Sequence, residues 1–521
     1  MHTKTFVKKT ATIFFWTLIC FTVATLSCQS GESLDDLLNS VRAATGHETL
    51  RQWDKGLEIA GTGVAHGLES RFRFCLLADG SFTMDVDSRL KQTSGFDGQR
   101  GWETDCSGMG YPLDFWELEV QKLIAWFVGT HWLDGDCALS VHLNEDSDSG
   151  ESRRIAVRVG DGAVEAAFHI DRETFLPRKL TWRTMAEENC LVLDDFRPVE
   201  GFVFPHTITI SEGGETTRIS ITDLSAATDG TVDACRPVSD EPRDTLFKKG
   251  VPRTAELKRA STGHLLVRPT IDGNDTTWFT LDTGAGINVV DRAFAKDVGM
   301  ERFGRCTATG VGGRVDIGYC KGKSISLGPL TIQDPIYYEI DFSPMNPFRK
   351  TKRGGILGYG FFRRCLVEID YKADKIVLAE PGSWDDRKAA WHKIVFSDHI
   401  PGLRCTLSDG AEGFFTLDTG ADTTVTLNRP FVEKHNLLEG RDLKEVGLGG
   451  VGGTITCYYG PLEWFELAGH RFEKPNVLFA GADEGIFTDR VVAGIIGNGF
   501  LEHFVLLIDY PNQRIGFVER D

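Results

Sequence analysis

The sequence predicts a mainly β chain: an N-terminal α+β domain with a long antiparallel sheet, then two similar β lobes in tandem. Three observations carry this. Apolar–polar alternation broken by Ala-Asp-Gly, Gly-Asp-Gly and Glu-Gly-Gly runs through much of the first 235 residues, which is hairpin chemistry. The heptapeptide Phe-Thr-Leu-Asp-Thr-Gly-Ala stands at 279–285 and again at 415–421. A later block, Gly-Ile-aliphatic-Gly-x-Gly-Phe followed by Ile-Asp-Tyr, starts at 355 and again at 494.

A chain of 521 residues is too long for one core. With 41% hydrophobic and 25% charged residues it has the composition of a folded protein. A formal net charge of −18 with no basic stripe argues against a nucleic-acid partner. The N-terminus pairs Lys4, Lys8 and Lys9 with a short apolar run ending at Cys28, which is the pattern of a secretory leader over 1–28. The run falls short of the ~20 residues that a spanning helix needs. Thr25-Leu26-Ser27-Cys28 resembles the lipobox of bacterial lipoproteins, which implies lipidation of Cys28 and a membrane anchor in the cell envelope. Simple secretion and an uncleaved anchor stand as alternatives.

Residues 29–235 form the predicted sheet domain. Residues 34–46 read as an amphipathic helix closed by Gly46, and the aromatic stretch 111–133 as a helix interrupting the strands. That helix is either core covering the sheet or a lipid-binding lid. The order of elements, with the phrase Phe-Asp-Gly-Gln-Arg-Gly-Trp at 96–102, resembles the lipoprotein-carrier (LolA-like) sheet. The Pro- and charge-rich 236–256 reads as a linker. Beyond it the matched blocks recur in one order, each pair separated by Gly-Val-Gly-Gly at 310–313 and 450–453. This is read as an internal duplication, with lobes at 257–381 and 392–521 joined by 382–391.

In each copy an apolar β run drops into small residues, which presents its last Asp at the tip of a turn. Gly-Val-Gly-Gly between β flanks reads as a hairpin tip. The glycine after two aliphatics, Gly358 or Gly497, lets another backbone pass close by. Alone, Asp282 or Asp418 would be an ordinary turn aspartate. Together these blocks resemble retropepsin-like aspartic proteases over roughly 257–521, with both halves of the site in one chain.

The resemblance implies that Asp282 and Asp418 form a catalytic pair sharing one proton, acting on a polypeptide substrate without cofactor or metal. Thr283 and Thr419 would interlock between the lobes, with Gly284 and Gly420 placing amides near the carboxylates. Val311, Gly312, Gly313, Val451, Gly452 and Gly453 would form two flaps, the valines implying hydrophobic side chains near the scissile bond. Gly286 departs from the family, which implies weaker support for one loop. Ala285 and Ala421, where pepsin-like enzymes have Ser or Thr, imply activity at mildly acidic to near-neutral pH.

Other chemistries find little support. The histidines, among them His264, His392, His399, His435, His470 and His503, form no His-Glu-x-x-His motif, and no Gly-x-Ser-x-Gly accompanies them. Asp370 and Asp509 read as turn or surface residues. Of twelve cysteines, Cys306 and Cys320 flank a flap as candidate cross-strand partners; isolated thiols are the alternative. The expected function is an envelope aspartic endopeptidase working as a monomer. A non-catalytic peptide- or lipoprotein-binding protein, lipid handling by the N-terminal half, and an obligate dimer remain open.

Overall fold

The computed structural model describes residues 33–143, 150–160, 162, 164–344, 352–384, 389–408 and 410–519. The expected leader and Cys28 lie outside them. Among the described residues no helix is long and apolar enough to cross a membrane. The fold is mainly β with large antiparallel sheets, as the sequence predicts.

The first helix, Leu34–Thr45, opens on a capping box between Ser33 and Asp36 and closes at Gly46, whose φ is 70°. A Cβ there would lie 2.7 Å from the Gly201 carbonyl oxygen, so only glycine fits the stop. Leu37 and Val41, four residues apart on one face, are fully buried.

Among the described residues, thirteen strands then form one antiparallel sheet. Its first strand, Gly56–Ala65, pairs with its last, Glu215–Ala226, in the middle of the sheet. Hairpin-linked strands step outward on either side. The chain must therefore cross from one edge, Gly110–Leu113, to the other, Leu139–Leu143. Helix Phe115–Val128 lies in that crossing and buries Trp116, Val120, Leu123 and Phe127. Phe127 meets Phe168 of the sheet with ring centroids 4.7 Å apart. This helix is shorter than the 111–133 expected. Tyr111–Leu113 belong to a strand, where Pro112 is tolerated because the strand is an edge, and Gly129 is the C-cap. The cavity between helix and sheet, lined by Phe74, Leu76, Met84, Ile124 and Leu191 among others, is about 10 Å³, room for about one water. The helix is packed core.

In each lobe the strand before the aspartate, Trp278–Leu281 or Glu412–Leu417, pairs in parallel with the third-block strand, Arg353–Leu357 or Gly494–Ile496. The far side of that third strand pairs antiparallel with the strand after the turn, Val289–Asp291 or Val425–Leu427. Each aspartate thus sits on a turn spanning a central strand. The lobes join where Leu366–Asp370 pairs antiparallel with Phe504–Asp509, with Val367 opposite Ile508 and Ile369 opposite Leu506. Glu368 faces Leu507 at the centre, so equivalent segments meet about a local two-fold axis. One hydrophobic core, including Leu281, Leu357, Phe361, Leu417, Ile496 and Phe500, runs through both lobes.

Several expectations need correcting. The 236–256 stretch read as a linker contributes Thr245–Phe247, paired with Leu330–Gln333, and the start of Thr254–Arg259. Likewise Trp391, at the end of 382–391, pairs with Gly516. Cys306 and Cys320 are not cross-strand partners: Cys306 faces Ile317 and Cys320 faces Arg302, and both thiols are free. Asp509 is a turn residue but fully buried, ion-paired with Arg514 at 2.7 Å, whereas Asp370 accepts the turn amides of Lys372 and Ala373.

The sheet domain docks on the lobes through Arg364. This side chain is 3% exposed and meets Asp105 at 3.0 Å and Asp244 at 2.6 Å. Burial disfavours the Asp105 anion, but Arg364 and hydrogen bonds from Ser107 and Met109 outweigh it and hold the carboxyl below the usual range. Arg364→Leu would leave two carboxylates facing each other without their cation. We expect a loss of about 3 kcal/mol, read as a lower urea midpoint for unfolding.

Candidate active site

The two aspartate turns meet between the lobes, and threonines lock them. Thr283 Oγ1 donates to the Leu417 carbonyl at 2.7 Å, and Thr419 Oγ1 donates to Leu281 at 2.9 Å. Each hydroxyl also accepts the other threonine's backbone N–H at 3.0 Å. Both threonines are buried, at 3% and 1% exposure, so each hydroxyl spends its donor and an acceptor site across the interface. A side-chain hydroxyl at both positions is what this exchange requires.

Asp282 and Asp418 come together one residue before each threonine. The Gly284 amide donates to Asp282 Oδ1 at 2.8 Å and the Gly420 amide to Asp418 Oδ1 at 2.7 Å. A Cβ on Gly284 would lie 2.4 Å from the Asp418 carboxyl carbon, and one on Gly420 would lie 2.3 Å from that of Asp282. Glycine is thus required by the opposite lobe's carboxyl. The two carboxyls are within hydrogen-bonding reach of one another. Burial raises the pKa of both above the usual carboxylate range. For Asp282 the Asp418 charge adds to this, against the Gly284 amide and Arg353. For Asp418 burial is opposed by hydrogen bonds from Asp282 and the Gly420 and Ala421 amides. Such a pair retains one proton where isolated aspartates would hold none.

The third blocks brace the turns from behind. A Cβ on Gly358 would lie 2.4 Å from the Ala285 carbonyl oxygen, and one on Gly497 would lie 2.4 Å from that of Thr423. Residues that the sequence did not single out take part. Asn288 Oδ1 accepts the Gly358 amide at 3.0 Å. Asn498 donates to the Thr419 carbonyl at 2.8 Å and accepts the Tyr371 hydroxyl at 2.7 Å. Tyr371 follows Asp370 in the repeated Ile-Asp-Tyr, so that repeat was the available signal. The lobes then diverge, since Tyr359 occupies the position of Asn498. Gly286 also differs from its expected meaning: a Cβ there would lie 2.5 Å from the Asp398 carbonyl oxygen, so glycine is demanded by packing.

Each lobe also carries a hairpin with a Gly-Val-Gly-Gly tip, Arg302–Gly310 with Gly313–Lys321 and Lys444–Gly450 with Gly453–Pro461. Their tips touch: the Gly312 amide donates to the Val451 carbonyl at 3.1 Å. A Cβ on Gly312 would lie 2.5 Å from Gly453 Cα, and one on Gly452, where φ is 85°, would lie 2.6 Å from the Gly313 oxygen. Val311 packs against Gly450, 2.4 Å from the position of a Cβ there. The first hairpin also rests on the sheet domain, through Thr307 on Glu215 at 2.5 Å, Arg314 on Glu187, and the Arg305 amide on the His66 carbonyl at 2.7 Å. Among the described residues no group of three or more His, Cys, Asp or Glu side chains could hold a metal ion.

Against this geometry, residues 267–361 match the family described as aspartyl protease, a stretch containing Asp282, the first hairpin and Gly358. Among solved structures, the chain is similar to a LolA superfamily protein from Nitrosomonas europaea, with 11% identity over 35% of this chain and 94% of that one, TM-score 0.24. It is also similar to a putative outer membrane lipoprotein-sorting protein domain from Vibrio parahaemolyticus, with 8% identity over 38% and 96%, TM-score 0.27. No curated protein sequence matches the chain.

Two outcomes are expected. Because both carboxyls are raised in the folded state, the pair favours folding most below the unfolded pKa of about 4 and loses that contribution as pH rises through the folded values. Asp418→Asn removes one ionisation, so its stability relative to the parent should increase from pH 4.5 to pH 8 in urea unfolding. Gly312→Ala should part the hairpin tips, seen as faster amide exchange at 311–313 and 451–453 with the rest unchanged.

Proposed function

We propose that this chain is an aspartic endopeptidase with one active site shared by its two lobes. The observation that carries the reading is the reciprocal Thr283–Thr419 exchange, which holds Asp282 and Asp418 face to face. The match of residues 267–361 to aspartyl proteases supports the same chemistry.

In the proposed mechanism the pair carries one proton. The ionised carboxylate takes a proton from a bound water, whose oxygen attacks the scissile carbonyl carbon. The protonated carboxyl donates to the carbonyl oxygen as charge develops there. The resulting gem-diol collapses: one of its hydroxyls returns a proton to the carboxylate that had protonated the carbonyl oxygen, the C–N bond breaks, and the amine leaves with the proton that the base had gained, which restores the singly protonated pair. Roles alternate between near-equivalent groups, so neither aspartate is permanently acid or base. The flaps Val311–Gly313 and Val451–Gly453 would part to admit an extended polypeptide and close to exclude water. Raised pKa values for both carboxyls favour a working range above that of a strongly acidic protease.

The repeated blocks and equivalent pairings of the two lobes support a tandem duplication. The wider setting is proposed from sequence. The domain limits are those of the sequence reading, with the strands noted above extending into both linkers. The leader and Cys28 point to an exported protein anchored in the bacterial cell envelope, acting as a monomer on polypeptides and not on nucleic acid. The packed sheet domain, with a cavity of about 10 Å³ beneath its helix, gives no support to lipid carriage.

The test is cleavage of an unstructured peptide library between about pH 4 and 7.5. Parent protein should cleave, with its rate maximum above about pH 3.5, while Asp282→Asn and Asp418→Asn should each lose at least ~1000-fold. A folded parent that cleaves nothing would favour a peptide-binding protein instead.

A further inference from the structure

The two aspartate loops are braced by different means. In lobe 2, Asn498 ties the Thr419 carbonyl. In lobe 1 the backbone N–H of the corresponding Tyr359 ties the Ala285 carbonyl at 2.8 Å, as that of Asn498 ties Ala421 at 2.9 Å, but Tyr359 has no side-chain amide, and a further brace arrives from lobe 2. The hairpin between Val395–Ser397 and Ile400–Leu407 turns through Asp398 and His399, with φ of 48° and 66°. Its tip lies on Gly286, four residues past Asp282. His399 Nδ1 stands 3.0 Å from the Gly286 carbonyl; since a carbonyl only accepts, Nδ1 carries the hydrogen. The ring stacks on Tyr359 at 4.4 Å and 14°, and meets the edge of Tyr111 at 4.6 Å.

The sheet domain holds this tip in place. Trp116 Nε1 donates to Ser397 Oγ at 2.9 Å, and the Asp398 amide donates to Glu117 Oε1 at 2.6 Å. Phe115 packs on Phe414 with centroids 4.6 Å apart. All three residues belong to the covering helix Phe115–Val128. Tyr111, Tyr359 and His399 therefore form a junction of sheet domain, lobe 1 and lobe 2, and the junction ends on the loop that carries Asp282.

We propose that His399 is a positioning residue for Asp282, and that through Trp116 and Glu117 the N-terminal domain is a working part of the catalytic unit. This rests on the endopeptidase reading for its effect on rate, but not for its effect on the loop. His399 needs no contact with substrate: its Nδ1–H fixes the Gly286 carbonyl, which sets the tilt of 283–286 and so of the Asp282 carboxyl.

The test separates donor from ring. In His399→Asn the amide nitrogen stands as many bonds from Cα as Nδ1, and Asn accepts positive φ readily; the donor stays and the stack goes. His399→Phe keeps the ring and loses the donor. In full-length protein, His399→Phe should raise amide exchange across 283–288 about tenfold and lower kcat about tenfold or more, with KM within about threefold. His399→Asn should return both to within about threefold of the parent. Trp116→Phe, which loses only its N–H, should raise exchange in the same segment. Exchange unchanged in His399→Phe, or His399→Asn as impaired as His399→Phe, would overturn the proposal. Should His399→Phe fail to fold, unchanged exchange in Trp116→Phe would overturn the domain coupling and impaired His399→Asn the donor role. A parent that cleaves nothing would sink the endopeptidase reading while exchange still decides the brace.

Discussion

Four hydrogen bonds between Thr283 and Thr419 and the opposite backbones hold the two halves of this molecule in register. Each is worth about 1 kcal/mol net, but a buried hydroxyl or amide left without its partner costs more, about 1–3 kcal/mol. The lobes therefore meet in this register or with several polar groups stranded. Much of the surrounding composition follows from that choice. Gly284 and Gly420 stay small because the register brings the opposite carboxyl onto them, whereas Gly358 and Gly497 stay small because of contacts within their own lobes, on Ala285 and Thr423. The strand pair Leu366–Asp370 with Phe504–Asp509 and the shared hydrophobic core enforce the same relation from the opposite side.

The local two-fold symmetry is broken where the N-terminal domain touches it. That domain grips the first hairpin through Glu187, Glu215 and His66, and grips lobe 2 at Ser397 and Asp398. These contacts fall on one flap and behind one aspartate loop, beside others at Arg364 and at Thr488 and Arg490. Substitutions that look like erosion of a symmetric motif make sense in this light. Gly286 clears space for Asp398, and Tyr359 replaces the amide of Asn498 with a ring on which His399 stacks. Symmetry is kept at the carboxyls and hydroxyls and abandoned one shell out.

The fold class and the meeting of the two Asp-Thr-Gly turns were legible because they are written in short, repeated, contiguous blocks. Glycine at 358 and 497 was readable as a close backbone approach, and Gly46 as a helix stop, since both are local demands of the backbone. Contacts joining distant segments were not readable. Nothing near Trp116 announces Ser397, and nothing near Arg364 announces Asp105 and Asp244. Asn498 and Tyr371 lay inside repeated blocks, but their pairing exists only once the lobes are joined. The helix at 115–128 was drawn too long because aromatic content does not separate an edge strand from a helix; Pro112 and Gly129 did. The supposed Cys306–Cys320 pair failed on register: the tip pairs Gly310 with Gly313, which sets Cys306 opposite Ile317, whereas Cys320 stands farther from the tip, opposite Arg302.

The central claim, one site made by two lobes of the same chain, is tested most directly by mixing. Equal amounts of Asp282→Asn and Asp418→Asn protein would be unfolded together, refolded and assayed on a peptide that the parent cleaves. If the lobes pair within a chain, every site in the mixture carries one lost carboxyl, and the mixture should be as inactive as either variant alone. If lobes pair between chains, some sites would combine the intact Asp282 of one with the intact Asp418 of the other. Activity recovered to about a quarter of the parent would contradict the account.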